Sequence, residues 1–237
     1  MERIAAAVCP APVDLVVEIG PGRGALTEKL LRRAARVVAV EIDPFLVEHL
    51  RRKFAAEPRL AVVHADVLTT DLAQWGRAPV AGNLPYYITS PILEQTVRAN
   101  VPRAVFLIQK EVAERLTAQP GNRAYGFLTV ATALFATARL LFEVKPAAFH
   151  PPPKVDSAVV LLEPHGRSRD LDTARFVRFL GRCFEHKRKT IRNNLSAAYG
   201  KQLVDAWPEA GLRAEQIPLA GFLAMYARIA ASGGDTE

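Results

Sequence analysis

The chain has 237 residues, half of them apolar and spread throughout, which is room for one large domain, or a medium and a small one, with a sizeable core. No apolar run approaches the roughly 20 residues of a membrane span, and the start MERIAAAVCPAP has too short an apolar stretch, after an early acid, for a signal peptide. Cys9 and Cys183 form no CxxC pair, which argues against a disulfide framework or a zinc site and for a reducing, cytoplasmic setting, while the formal charge of +7 matters less than where it sits.

The first 160 residues alternate two patterns. DLVVEI (14–19) reads as a strand ending at a glycine-rich turn, and ALTEKLLRRA (25–34) follows at helical period. RVVAVEI (36–42) is the next strand, with Asp43 and Pro44 as N-cap and first position of the helix PFLVEHLRRKF. RLAVVHAD (59–66), PVAG (79–82), AVFLIQ (104–109), RLLFEV (139–144) and SAVVLLEP (157–164) complete the strands. Strands separated by helices imply right-handed crossovers and a mostly parallel sheet covered on both faces. The last two strands, joined by the irregular KPAAFHPPPK, suit a terminal hairpin with one antiparallel strand.

After Pro164 the linker-like HGRSRD gives way to TARFVRFLGRCFEH, KRKTIRNNLSAAYG, KQLVDAWPEA and LAGFLAMYARIAA, all at helical spacing, before SGGDTE, which is expected to fray. The expected division is an α/β domain over 1–164 and a small helical domain over 165–237. Ten Lys/Arg against three Asp/Glu lie between Arg167 and Lys201, so the charge excess sits on the helical part.

Two candidate sites gather at the carboxyl ends of the strands. EIGPGRG (18–24) provides a tight turn whose backbone N–H groups approach a ligand, but it is not GxGxxG, so a dinucleotide is not expected. Glu41 ends the second strand, where a carboxylate takes both ribose hydroxyls, and Asp66 ends the third, where an acceptor takes an adenine amino hydrogen. Together they favour an adenosine-containing cofactor, and S-adenosylmethionine fits better than NAD because nothing suggests a second nucleotide half.

The second site is VAGNLPYYITSP (80–91). Asn83 offers an acceptor and a donor in one plane, which matches the exocyclic amine of a purine. Pro85 stiffens the turn, and Tyr86 offers a ring on which a base stacks. Acceptors aligned with the amino hydrogens leave the nitrogen lone pair free for in-line attack on a methyl group. Three prolines in FHPPPK favour an extended segment that carries Phe149 over the cleft. Lys110 and Arg115, in QKEVAERL, either meet phosphate or belong to a solvated helix face. In KRKTIRNNL (187–195), Lys187, Arg188, Lys189 and Arg192 offer phosphate contacts that supply affinity and little base specificity.

Over roughly residues 14–200 the chain resembles the KsgA family of ribosomal RNA adenine dimethyltransferases. The resemblance is carried by EIGPGRG, VEID (40–43), HADVL (64–68), GNLPYYIT (82–89), QKEVAERL (109–116), RAYGFLTV (123–130), FHPPPKVDSAV (149–159) and RKTIRNNL (188–195). It implies a Rossmann-like, class I S-adenosylmethionine-dependent methyltransferase domain followed by a small helical domain. Gly20, Glu41, Asp66 and Asn83 would contact the cofactor, and Glu18, Gly22, Ile42 and Val67, in the same motifs, would bind it with them. Asn83, Leu84, Pro85 and Tyr86 would hold the target adenine, and Phe149 would pack against its other side. The family methylates two adjacent adenines twice each near the 3′ end of small-subunit rRNA, late in subunit assembly, so the small subunit is the expected partner of a monomeric enzyme.

The family pattern usually includes a longer N-terminal leader with a QNFL-like motif. MERIAAAV runs straight into the first strand without one, so the fold is expected to stand while cofactor affinity or turnover suffers. Three rivals share part of the pattern. A large-subunit rRNA adenine methyltransferase of the antibiotic-resistance type shares the cofactor motifs, but FHPPPKVDSAV and RKTIRNNL favour the KsgA family over it. A protein glutamine methyltransferase has no use for the basic segment. A non-catalytic assembly factor has no use for Asn83 and Tyr86.

Overall fold

The computed structural model describes residues 1–84, 89–99, 101–149, 152–165 and 171–232. It forms two compact units, Met1–Ala113 with Ala136–His165, and Glu114–Phe135 with Gly166–Glu237. The expected boundaries are corrected on one point. Residues 114–135 belong with the C-terminal helices, because Tyr125, Val130 and Leu134 are buried in that unit's core.

The first unit is a seven-stranded sheet. Its strands are β1 (Val13–Ile19), β2 (Ala34–Glu41), β3 (Leu60–His64), β4 (Val80–Asn83), β5 (Ala104–Gln109), β6 (Ala136–Val144) and β7 (Ser157–Pro164). They lie in the order β3-β2-β1-β4-β5-β7-β6, parallel from β3 to β5, with β7 antiparallel to both β5 and β6. The single antiparallel strand expected of the terminal hairpin is therefore β7. Period-two alternation splits the strand residues between two faces. Helix α1 (Glu2–Val8) buries Ile4, Ala5 and Val8 in one of them, with Val16, Val37, Val105 and Val159. Because β2 and β3 lie to one side of β1 and β4 and β5 to the other, the winding reverses between β1 and β4, where open α/β sheets leave a crevice.

Several expected boundaries move for local reasons. The helix expected over 25–34 is one turn, α2 (Thr27–Leu30), because residue 34 is already extended opposite Val13. Helix α3 (Pro44–Lys53) starts as its sequence predicts, with Asp43 Oδ1 accepting from Phe45 N at 2.8 Å and Leu46 N at 3.4 Å. The third strand stops at His64, so Asp66 does not end it and instead caps a short 3-10 turn over Val67–Thr69. Helix α4 (Thr89–Arg98) follows β4.

Helix α5 (Lys110–Thr117) begins in the first unit and ends in the second, where it is followed by α6 (Phe127–Phe135), a helix not expected from the sequence. Then come α7 (Thr173–Phe184), α8 (Ile191–Tyr199), α9 (Lys201–Asp205) and α10 (Leu219–Ala231). Helix α7 turns Phe176, Phe179, Leu180 and Cys183 inward, at the i, i+3, i+4, i+7 spacing of an amphipathic helix. Phe176 meets Tyr226 edge-on, ring centres 5.4 Å apart, and the Tyr125 hydroxyl donates to Ile217 O at 2.7 Å. The helix expected to begin at Lys187 begins at Ile191, because Thr190 caps it and pairs with Arg213 as an isolated bridge.

Candidate active site

The turn after β1 holds Gly20 and Gly22 at φ values of 63° and 58°, which an L side chain rarely adopts. A Cβ on Gly20 would stand 3.7 Å from the carbonyl oxygen of Asn83, so the glycine turn and the end of β4 are side by side. On the other flank Gly22 N donates to Glu41 Oε2 at 3.2 Å, and Glu41 Oε1 accepts from Ile42 N at 2.9 Å and Asp43 N at 3.1 Å. The β3 end is tied in as well, through Ala65 N to Glu41 O at 3.0 Å and His64 Nε2 to Ile42 O at 3.2 Å. Gly20, Gly22, Glu41, Ile42 and Asn83 thus meet along the crevice, with Asp66 beside them.

Gly82 closes the geometry. A Cβ there would stand 2.8 Å from Ile19 O and 2.9 Å from Leu84 Cδ2, so any side chain would force the neighbours to shift. This glycine lets β4 lie against β1 and sets Asn83, exposed at the strand end, next to the glycine turn. Leu84 continues the pairing, its N–H donating to Leu107 O at 3.0 Å. Its side chain is buried, so the part expected of it toward an adenine falls to its backbone.

The acids differ in kind. Asp66 Oδ1 accepts from Leu68 N at 2.8 Å, which fixes the carboxylate at the rim. Val67 is buried, while Ile42 is 59% exposed and offers an apolar face beside Glu41. Glu18 is placed otherwise than expected of a direct contact. It lies beneath the turn, 1% exposed, with Thr27 Oγ1 donating to its Oε2 at 2.6 Å. Burial pushes its carboxyl up to about 7, the Thr27 hydrogen bond opposes the rise, and the Glu41 charge adds to it.

Pro85 and Tyr86 lie outside the described residues, as do His150 and Pro151 of FHPPPK. Phe149 ends a short 3-10 turn (Pro146–Ala148) and packs, half-buried, against the core that α1 covers.

The expected phosphate contacts divide. Lys110 is paired with Glu143 at 2.7 Å and Arg192 with Asp205 at 2.5 Å. Arg115 is exposed on α5. Lys187 donates to Arg123 O at 3.1 Å, and Arg188 and Lys189 stand exposed in the loop before α8, not on the helix. Asn194 braces that loop from below, its Nδ2 donating to Cys183 O at 2.8 Å and His186 O at 3.4 Å. Asn194 and Thr27 were not among the expected site residues. A polar residue at a core-facing helical position was the available signal for Asn194.

A model of the ribosomal RNA adenine dimethylase family matches residues 1–230. Proteins named ribosomal RNA small subunit methyltransferase A are similar to this chain. The one from Acidobacterium capsulatum is 44% identical over 225 residues, spanning 89% of this chain and 80% of that protein. The one from Myxococcus xanthus is 46% identical over 204 residues, spanning 83% and 71%. Among solved structures, a dimethyladenosine transferase from Plasmodium falciparum superposes with a TM-score of 0.83 at 26% identity, over 98% of this chain and 96% of that one. The 23S rRNA methyltransferase ErmE gives 0.74 at 29%, over 97% and 96%. The sheet order with its antiparallel β7 is thus that of a class I methyltransferase, and this chain belongs to the ribosomal RNA adenine dimethylase family.

Proposed function

We propose that the protein uses S-adenosylmethionine to dimethylate the N6 amino groups of two adjacent adenines near the 3′ end of small-subunit (16S) rRNA. It acts in the cytoplasm, as a monomer, during late small-subunit biogenesis. The observation that carries this reading is the meeting of the glycine turn, Glu41 and Asn83 at the β1/β4 crevice, in a chain whose relatives are named for the small subunit.

The residues present fit the cofactor. Gly20 and Gly22 leave the turn open for backbone approach, and nothing lies within 4 Å of where a Cβ on Gly22 would stand. Glu41 spends three acceptor positions on backbone N–H groups, which fix its carboxylate and leave one lone pair for a ribose hydroxyl. Asp66 takes the adenine amine, and Ile42 and Val67 flank the ring. The bound cofactor supplies an activated methyl group on a positively charged sulfur.

Asn83 provides the acceptor that orients the target amine, together with the backbone of Leu84. Tyr86 stacks on the base, Pro85 is counted with the residues that hold the adenine, and Phe149 covers its other side. No strong base is needed, because the amine nitrogen attacks with its lone pair and the proton leaves to water as the N–C bond forms. Hydrogen-bond acceptors without a tight cap still admit the monomethylated amine, which a second transfer requires. Arg188 and Lys189, with Lys187 and Arg115, hold rRNA phosphates. Lys110 and Arg192 do so only in exchange for their carboxylate partners.

Transfer of labelled methyl to undermethylated small subunits tests the reading, with large subunits and naked rRNA as controls. N6,N6-dimethyladenosine formed on small subunits alone is the expected result. Labelling of large subunits would move the assignment to the ErmE type, and small-subunit binding without transfer would make the protein an assembly factor.

A further inference from the structure

Thr27 opens α2 and is fully buried, and the carboxylate that its hydroxyl meets at 2.6 Å, Glu18 at the end of β1, is buried too. A buried hydroxyl and carboxylate carry a desolvation cost that an apolar pair of the same shape would not, so stability alone does not call for them. Their place does have a use, because Glu18 stands two residues before Gly20 on the same chain and its neighbouring charge is Glu41, whose carboxylate accepts from Gly22 N at 3.2 Å.

The surroundings of Glu18 hold no compensating cation among the described residues. From β2 the acting group is Glu41, which is also negative, and β4 presents no titratable side chain from Val80 to Asn83. On α2, Glu28 is paired with Lys53 at 2.7 Å. Two carboxylates thus bracket the glycine turn, and the Thr27 hydrogen bond is the interaction that favours the charged form of the deeper one.

We propose that Thr27 is a positioning residue for cofactor binding that acts through Glu18. Its hydroxyl holds the Glu18 carboxylate in place under the turn, and a sulfonium cofactor settling on that turn drives the proton off Glu18 into solvent. The proposal rests on the S-adenosylmethionine reading. Cofactor affinity then rises with pH until Glu18 is ionised in the free protein. With Glu18 half protonated near pH 7, the wild type loses about twofold in affinity there and about tenfold at pH 6. Removing the hydrogen bond and raising the Glu18 midpoint by about one pH unit costs about a further fivefold at pH 7 and almost nothing at pH 9.

The test is calorimetric titration of the full chain with S-adenosylmethionine from pH 6 to 9, in buffers of different ionisation enthalpy. Protons released are read as the difference from Glu18→Gln, which cancels titration of the cofactor itself. The wild type is expected to release about half a proton more than Glu18→Gln at pH 7, and almost none more at pH 9. Thr27→Val should bind about fivefold more weakly than wild type at pH 7 and equally at pH 9, and Thr27→Ser should restore the wild-type profile. Equal proton release by wild type and Glu18→Gln overturns the proposal, and that comparison stands even if Thr27→Val does not fold. Weakening of Thr27→Val by one factor at every pH also overturns it, since that is a packing effect. Absence of any binding by the wild type overturns the cofactor reading, and the proposal with it.

Discussion

Gly82→Ala asks whether the close approach of β1 and β4 creates the crevice. The added Cβ would stand 2.8 Å from the Ile19 carbonyl oxygen, which is backbone and paired within the sheet, and 2.9 Å from Leu84 Cδ2, in the core. The first neighbour is backbone and the second is a terminal methyl packed in the core, so the strands must part by several tenths of an ångström. Overpacking of this kind costs about 1–3 kcal/mol. For a chain of this size each kcal/mol lowers Tm by about 2–4 °C, so Gly82→Ala should melt about 2–12 °C below wild type. Gly22→Ala is the contrasting variant, because open space surrounds its Cβ and only its φ of 58° opposes it. That substitution should cost about 1–2 kcal/mol by backbone strain alone. The two part on substrate: Gly82→Ala displaces Asn83 as well, so it should lose methyl transfer even at saturating cofactor, whereas Gly22→Ala should recover with added cofactor. Thermal unfolding and transfer at saturating cofactor provide the check. A Gly82→Ala protein with wild-type Tm and full transfer would show that the close approach is incidental.

Asn83→Ala should abolish transfer and leave small-subunit affinity unchanged, measured by labelled methyl incorporation beside a sedimentation assay; parallel loss of both would give Asn83 a binding role only. Without cofactor, Glu18 should make stability fall as pH rises. Its folded midpoint of about 7 stands above the unfolded value of 4.5, so its contribution is full below pH 4.5 and is lost up to pH 7, on the order of 3 kcal/mol. Tm of Glu18→Gln minus that of wild type should therefore grow across that window, and a constant difference would contradict the burial argument. Replacing Arg188 and Lys189 by Ala should weaken small-subunit binding and reduce its salt dependence by about one unit of slope for each phosphate that is no longer neutralised. Arg192→Ala should do less, because its guanidinium is already held by Asp205.

The parts of the site that hydrophobic period and turn chemistry govern were legible in the chain. The strand DLVVEI, the Asp43-Pro44 helix start and the placing of Glu41 at a strand end follow from local rules, and the sheet reproduces them. Gly82 was visible only as the last residue of an apolar run; its reason, a backbone oxygen 2.8 Å away on another strand, is a long-range fact. Helix α6 was missed for a related cause. GFLTVATALF is apolar without a clear period of its own, and it becomes a helix whose Val130 and Leu134 join a core assembled from residues some 40–100 positions later.

Charge shows the limit most plainly. Lysines and arginines can be counted in a sequence, but whether a given one is available for phosphate depends on carboxylates that the fold brings to it. Glu143 reaches Lys110 from β6, and Asp205 reaches Arg192 from α9. Arg188 and Lys189 lie just before α8, in a loop held from beneath by Asn194. A basic residue on a braced loop gives up less conformational freedom on meeting a phosphate than one at the end of a free chain, and one with no carboxylate partner among the described residues has no ion pair to break there. By that argument the proposed phosphate contacts of the helical unit should centre on residues 187–189, with Arg192 expected to contribute only where the RNA outcompetes Asp205.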